Sequence, residues 1–276
     1  MQKAIQIPFN NAFALKCQCA AEAGFQYISV NYAQVLGKTE DEWEKITEEI
    51  QGVLDQNRLS CLQSHPHFYS PFKSSELIEE ELEFAIKQAV LSSAKLGAKY
   101  CVIHPRSSIS TGYRFSKSLE DNKKWFDQLL SHASKCGTKI AAENLPIFPS
   151  SNRIHPLFSS DPDDLMALAG AFGEDQLGVC WDVGHANMID AEQAPMIEAL
   201  GERIKCTHIH NNFGQMDEHA PPVYGNIPWD RVMTALKIIG YDGPLTLETH
   251  CWYEEEKLLH SFYKHNYDSL VYLTSL

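Results

Sequence analysis

The sequence predicts one (β/α)8 TIM barrel, an α/β fold, spanning residues 1–276 as a single domain. Three observations predict it. Short apolar runs alternate eight times with longer segments of helical period, and eight such units in about 270 residues match barrel arithmetic. Glycines stop several helical segments at the turn back to a strand, at Gly24, Gly97, Gly137, Gly173 and Gly240. No Pro/Gly/Ser-rich linker and no abrupt change of charge divides the chain.

The strand-like runs are Ala4–Pro8, Tyr27–Asn31, Leu59–Gln63, Lys99–His104, Lys139–Glu143, Gly178–Asp182, Lys205–His210 and Leu245–Glu248. Between them lie helical stretches at Ala12–Ala23, Glu40–Asn57, Glu76–Leu96, Leu119–Cys136, Pro162–Phe172, Ala191–Leu200, Trp229–Ile239 and Glu254–Leu273. A doubly wound open sheet would need a glycine-rich phosphate turn after the first strand. Ile7-Pro8-Phe9-Asn10-Asn11 contains no glycine, so the barrel is preferred. Leu145–Ser160, a 16-residue loop, is expected to act as an active-site lid.

Composition narrows the function classes. Apolar residues make up 44% of the chain, enough to build a core and to exclude collagen-like or disordered readings. Twenty-three Lys and Arg against 36 Asp and Glu give a net charge of −13, a field that repels phosphate backbones and anionic membranes. The start, MQKAIQIPFNNAF, holds no signal-peptide core, and no stretch reaches the roughly 18 apolar residues of a membrane span. Of eight cysteines, Cys61, Cys101, Cys180, Cys206 and Cys251 sit in apolar strand-like runs, as small buried thiols of a reducing cytoplasm would. Cys17 and Cys19 lack the spacing of a thioredoxin pair and read as incidental helix thiols.

The strand ends carry the chemistry. They fall at His65, His104, Glu143, Asp182, the His208–His210 stretch and Glu248, at intervals of 39, 39, 39, 26 and 40 residues. A βα unit has about that length, so successive units deliver potential metal ligands at one height of the barrel. Unpaired charge at such core-lining positions costs several kcal/mol, and cations between the side chains relieve it. His and carboxylate donors without cysteine suit zinc, manganese or a similar divalent ion. His185, three residues past Asp182, and the Asp217-Glu218-His219 string add candidate ligands. His67, His210 and His250 are read as supporting groups. His132, His155, His260 and His265 fall on helices or in the lid, where surface or packing roles are expected.

These residues resemble the xylose-isomerase-like TIM-barrel superfamily, which groups sugar isomerases and epimerases, inosose dehydratases, hydroxypyruvate isomerases and the endonuclease IV type of apurinic-site nuclease. The resemblance covers nearly the whole chain. It rests on Ser64-His65-Pro66-His67, Val102-Ile103-His104-Pro105, Ala142-Glu143-Asn144-Leu145-Pro146, Cys180-Trp181-Asp182-Val183-Gly184-His185-Ala186-Asn187, Thr207-His208-Ile209-His210-Asn211-Asn212, Asp217-Glu218-His219 and Gly240–Glu248. It implies a core ligand set of Glu143, Asp182, His208 and Glu248, shared by the sugar-handling members. The endonuclease IV pattern implies a second metal on His65 and His104, bridged by Glu143, and a third on His185, Asp217 and His219. Two positions depart from that nuclease. Asp182-Val183-Gly184-His185 replaces its Asp-Thr-Cys-His, and Asn211 stands where its His-x-x-Asp pattern has the carboxylate.

The resemblance and the charge balance together favour a metal-dependent isomerase or epimerase of a small sugar, cyclitol or hydroxy-ketone, working by enediolate proton transfer. Glu143 and Glu248 would carry the proton, and His185 would orient a substrate oxygen. Arg106 and Arg114 are candidate anchors for a carboxylate or phosphate, with His210 and Trp252 as further substrate contacts and Phe9 and Tyr253 as apolar wall. The partner is a small polyol, keto-sugar or sugar phosphate, and the sequence allows a homo-oligomer. The alternative is a two- or three-metal phosphoester hydrolase. Duplex DNA is disfavoured, because Lys38, Lys73, Arg106, Arg114, Lys117 and Arg153 are scattered over four loops and form no basic stripe.

Overall fold

The computed structural model describes residues 1–68, 76–107, 115–150, 153–155, 157–189, 192–251 and 255–276; for 76–78, 148–150 and 153–155 only the backbone is described. Eight parallel strands close a barrel: β1 (Gln2–Pro8), β2 (Tyr27–Asn31), β3 (Ser60–His65), β4 (Tyr100–Ile103), β5 (Lys139–Glu143), β8 (Leu177–Asp182), β9 (Ile204–Ile209) and β10 (Pro244–Leu247). Neighbours follow the chain around the ring, and β1 closes it against β10. The fold expected from the alternation is therefore the fold observed, with barrel strand ends within two residues of those read from sequence.

Helices α1 (Phe13–Ala23), α2 (Glu40–Asn57), α3 (Glu76–Lys95), α4 (Phe115–Cys136), α5 (Pro162–Gly170), α7 (Gln193–Leu200), α8 (Trp229–Ile238) and α9 (Glu256–Ser275) cover the outside. Local chemistry sets their ends. Thr39 and Glu42 form a reciprocal capping box on α2, whose first turn also carries three acids that complement the helix dipole. Asp161 caps α5 by accepting from the Asp163 amide, with Pro162 at the first helical position. Gly24 ends α1 at φ 115°, where a side chain would also meet the Tyr267 ring at 2.9 Å. Gly173 is no helix stop. α5 has ended by Gly170, and the Gly173 amide instead donates to Gln176 Oε1 in the following turn.

Two features differ from the sequence expectation. The segment expected to act as a lid contains a two-stranded antiparallel hairpin, β6 (Phe148–Ser150) with β7 (Arg153–His155). A short helix, α6 (Val183–Met188), follows β8 directly. Its cap is Asp182, whose Oδ1 accepts from the His185 amide at 2.6 Å. Six residues are too few for an apolar period to show in sequence.

Strand alternation divides the core into two layers. Ile5, Ile7, Ile28, Val30, Cys101 and Ile103 face the helices. Tyr100, Val102, Ala141, Cys180 and Cys206 pack inside the barrel, beneath the C-terminal rim. Register then sets the height of what lies above them. Asn31 pairs with His65, Glu143 with Cys180, and Asp182 with His208. Six of the eight cysteines are buried, with Cys136 and Cys251 partly exposed. Among the described residues no helix is long and apolar enough to cross a membrane.

Candidate metal centre and active-site cavity

The polar strand ends converge on the C-terminal rim as three adjacent ligand groups: Glu143, Asp182, His208 and Glu248; His65, His104 and Glu143; and His185, His210, Asp217 and His219. In each group the donor atoms lie within 4.8 Å of one another. His208, from β9, sits at the floor. Its Nδ1 lies 2.9 Å from Glu143 Oε1, 3.0 Å from Glu248 Oε2 and 3.7 Å from Asp182 Oδ2. The other Glu143 oxygen, Oε2, faces His104 at 3.1 Å and His65 at 3.2 Å. One carboxylate therefore serves two groups, an oxygen to each.

The donors are oriented as a metal site would need. His65, His185 and His219 each donate Nδ1–H to a backbone carbonyl, of Pro66 (2.8 Å), Asn144 (2.8 Å) and Glu248 (2.7 Å). That bond commits Nδ1 as a donor and turns Nε2 toward the acids. His185 Nε2 then lies 3.4 Å and His219 Nε2 3.0 Å from Asp217 Oδ2. Asp217 Oδ1 is buried without a hydrogen-bond partner. An oxygen- and imidazole-rich set with an orphaned carboxylate oxygen fits divalent zinc or manganese.

Protonation follows from these contacts. Burial pushes the Glu143 carboxyl up, but the facing imidazoles of His208 and His104 outweigh it and hold the group well below the usual range. Glu248 is lowered in the same way, by His208 and His219 against burial. Burial would depress His208 and His185, yet the acids around them raise both well above an ordinary imidazole. His219 is carried to about 9, against burial, by its bond to Asp217 and the nearby Glu248. Burial lowers His104. Partial desolvation, with the His219 ring stacked 4.2 Å away, lowers His250 to about 4. A metal ion entering this set displaces protons from its imidazoles.

Two buried amides hold the ligands. Asn144 bridges strand ends, donating to the Asp182 carbonyl (2.8 Å) and accepting from the Asp182 amide (2.7 Å). Asn211 donates to the Pro222 carbonyl (2.7 Å), while its Oδ1 accepts from the Asn212 and Ile227 amides. It pins the loop that carries Asp217 and His219. A carboxylate here would set an oxygen against the Pro222 carbonyl, which explains the amide at this departure from the nuclease pattern. Gly184 has a reason of the same kind: the His210 ring lies where a side chain would go, with Cε1 1.9 Å from the Cβ position.

The other expected site residues fall as follows. His210, expected to touch substrate, is fully buried with Nε2 3.0 Å from Asp182 Oδ1, and it does not line the cavity. The Arg106 guanidinium stacks 3.7 Å above the Trp125 ring and lies 4.0 Å from Glu83, outside the cavity lining. Arg114, Trp252 and Tyr253 lie outside the described residues. Phe9 packs edge-on against Phe13, and Phe68, stacked on His104, takes its place on the wall.

Above the ligands opens a cavity of about 550 Å3. Glu143, His65, His104, His185, Asp217, His219 and Glu248 line its floor and one side. Gln6, Asn31 and Lys16 line it as well, with Asn31 paired beside His65 and Gln6 on the strand next to that of Glu248. Sequence reasoning passed over Lys16, although the signal was there: it occupies a buried slot of the α1 stripe, Phe13, Lys16, Cys17, Ala20, Ala23.

A family model described as xylose isomerase-like TIM barrel matches residues 17–261, and the chain belongs to that family. Among curated proteins it is similar to y4fM of Sinorhizobium fredii, 29% identical over 171 residues, 59% of this chain and 51% of that one. The chain thus spans about half the length of that relative. Among solved structures, D-psicose 3-epimerase of Clostridium cellulolyticum H10, solved with D-tagatose, superposes with TM-score 0.73 at 14% identity, covering 100% and 99% of the two chains. The IolI protein, solved with a zinc atom bound, gives TM-score 0.78 at 17% identity over 100% and 98%. At such identity these two likenesses speak to the fold.

Proposed function

We propose that the chain is a divalent-metal-dependent isomerase or epimerase of a small sugar, cyclitol or hydroxy-ketone. The observation that carries this reading is the placement of Glu143 and Glu248 on either side of His208, at the floor of a cavity sized for one small molecule. The family and the epimerase named among the structural neighbours support the same class. Glu143, Asp182, His208 and Glu248 would hold the ion, zinc or manganese, which supplies Lewis acidity toward adjacent substrate oxygens.

The chain's own residues do the proton work. Glu248 lines the open cavity and removes a proton from the carbon beside the carbonyl; Glu143, fully buried on the other side, returns one. His185, fixed by Asn144, orients a substrate hydroxyl. The buried thiols suit a reducing cytoplasm. Exchange of substrate carbon-bound hydrogen with deuterated solvent, scanned over ketoses, aldoses and inososes, tests the reading. No exchange with any of them at full metal loading would reject it.

A phosphoester hydrolase is the second reading, and one observation favours it: both Glu143 oxygens are engaged, one in each of two ligand groups, with a third group alongside. Three bound ions by elemental analysis, together with hydrolysis of a small phosphodiester, would promote it. Duplex DNA stays disfavoured in either case. Lys38 and Lys117, expected near the mouth, already face Glu42 and Asp121, and Arg106 is held on Trp125. Metal-replete protein should leave an abasic duplex uncut at low salt; incision lost in His219→Ala would overturn that.

A further inference from the structure

We infer that Lys16 and Gln6 form an anion subsite on the wall of the cavity that holds the ligand groups, so that the substrate carries a phosphate or carboxylate at one end. The inference rests on the proposal that this cavity binds substrate, and names the substrate's charge class.

Lys16 is only 7% exposed and lines the cavity. No carboxylate of the described residues lies within 4.0 Å of its ammonium, although exposed lysines such as Lys38, Lys117 and Lys124 all have such partners. An ammonium on a cavity wall without a counter-ion is unfavourable, and a structural role does not call for one. Nor does the helix. Lys16 lies one turn into α1, near the positive end of the helix dipole, where a cation is unfavourable. The start of α1 also has no side-chain cap and no acid in its first turn, unlike α2 and α5. The positive end of α1 therefore has no local anion to complement it.

Gln6 supplies the second donor. It is 8% exposed, lies on β1 and lines the same cavity. Its Oε1 accepts from Asn31 Nδ2 at 2.6 Å, which leaves Nε2 buried and without a partner. An ammonium and an amide N–H, both unsatisfied by protein, match the oxygens of a phosphate or carboxylate. Lys16 is also the only lysine or arginine lining the cavity among the described residues.

The experiment uses metal-loaded full-length protein and matched ketoses: dihydroxyacetone, D-ribulose and D-fructose, each with its terminal phosphate, and D-fructuronate. Binding is measured by calorimetry for wild type, Lys16→Met and Lys16→Arg, with metal content and melting temperature alongside. At least one anionic probe should bind wild type tenfold or more tightly than its neutral counterpart. Lys16→Met should erase that preference, keep metal content and melt no lower; Lys16→Arg should restore part of it. The phosphate and carboxylate arms tell which anion is preferred. A preference absent from wild type, or one that persists in Lys16→Met because the metal centre alone holds the anion, overturns the inference. Hydrogen exchange separates it from the isomerase reading. A Lys16-dependent preference without exchange on any ketose sinks that reading and keeps the subsite. Exchange on neutral ketoses with no anion preference does the reverse.

Discussion

The floor and the rim of the ligand cluster are built differently. Glu143, Asp182 and His208 are fully buried, and they lie on strands whose register fixes their height. Asp217 and His219 keep 18% and 11% of their side chains exposed, and they ride on a loop held by Asn211. The floor is positioned by the barrel itself. The rim depends on a few side-chain hydrogen bonds, any of which one substitution can remove. A ligand on a strand inherits the rigidity of the sheet; a ligand on a loop needs its own tether.

The sharpest way to break the contrast is at the residue both sides of the floor share. Glu143→Gln should lower metal content and cut turnover by roughly 10²–10⁴-fold, the span of acid–base contributions. Unchanged turnover with unchanged metal would refute the assignment. Asn211→Asp should spare the floor and loosen the rim, with about 1–3 kcal/mol lost at the buried amide site. The expected result is the loss of one ion by elemental analysis while the floor ion stays, together with faster hydrogen exchange of the 213–220 amides.

The third test uses protons. His219 is held protonated to about pH 9, so an ion binding there displaces its proton. Rim affinity should therefore fall as pH drops below 9, by up to about tenfold per unit for that one proton. Zinc titrations at pH 7 and 8 measure it, and a flat response would mean that His219 is no ligand. The smallest effect is expected outside the cluster. Arg106→Met should leave KM unchanged, because the guanidinium is spent on Trp125, and should lower stability by roughly 0.5–1 kcal/mol. A large rise in KM would return Arg106 to the substrate.

The same contrast explains what the sequence revealed. His65, His104, Glu143, Asp182, His208 and Glu248 were legible because one βα unit repeats at near-constant length, so spacing alone puts them at one level. The tethers were not. Asn144 acts through the Asp182 backbone and Asn211 through Pro222 and Ile227, far along the chain, and nothing in their neighbours announces those partners. α6 is too short for periodicity, and its capping acid is also a candidate ligand. Arg106 misled because a loop arginine beside a strand end reads as an anchor until its stacking partner is known. Lys16 was overlooked for the opposite reason, since lysine in a helix is read as solvated unless the apolar stripe is traced through it.

The contact between Gly184 and His210 bears on the order in which this site can change. A methyl group at 184 needs the volume that the imidazole fills, so Gly184→Ala first is a collision. Shrinking residue 210 first clears that space, after which 184 is free to vary. The two positions form a ratchet, with one open path and one closed. A lineage that keeps an imidazole at 210 is held to glycine at 184, whatever reaction the cavity comes to perform.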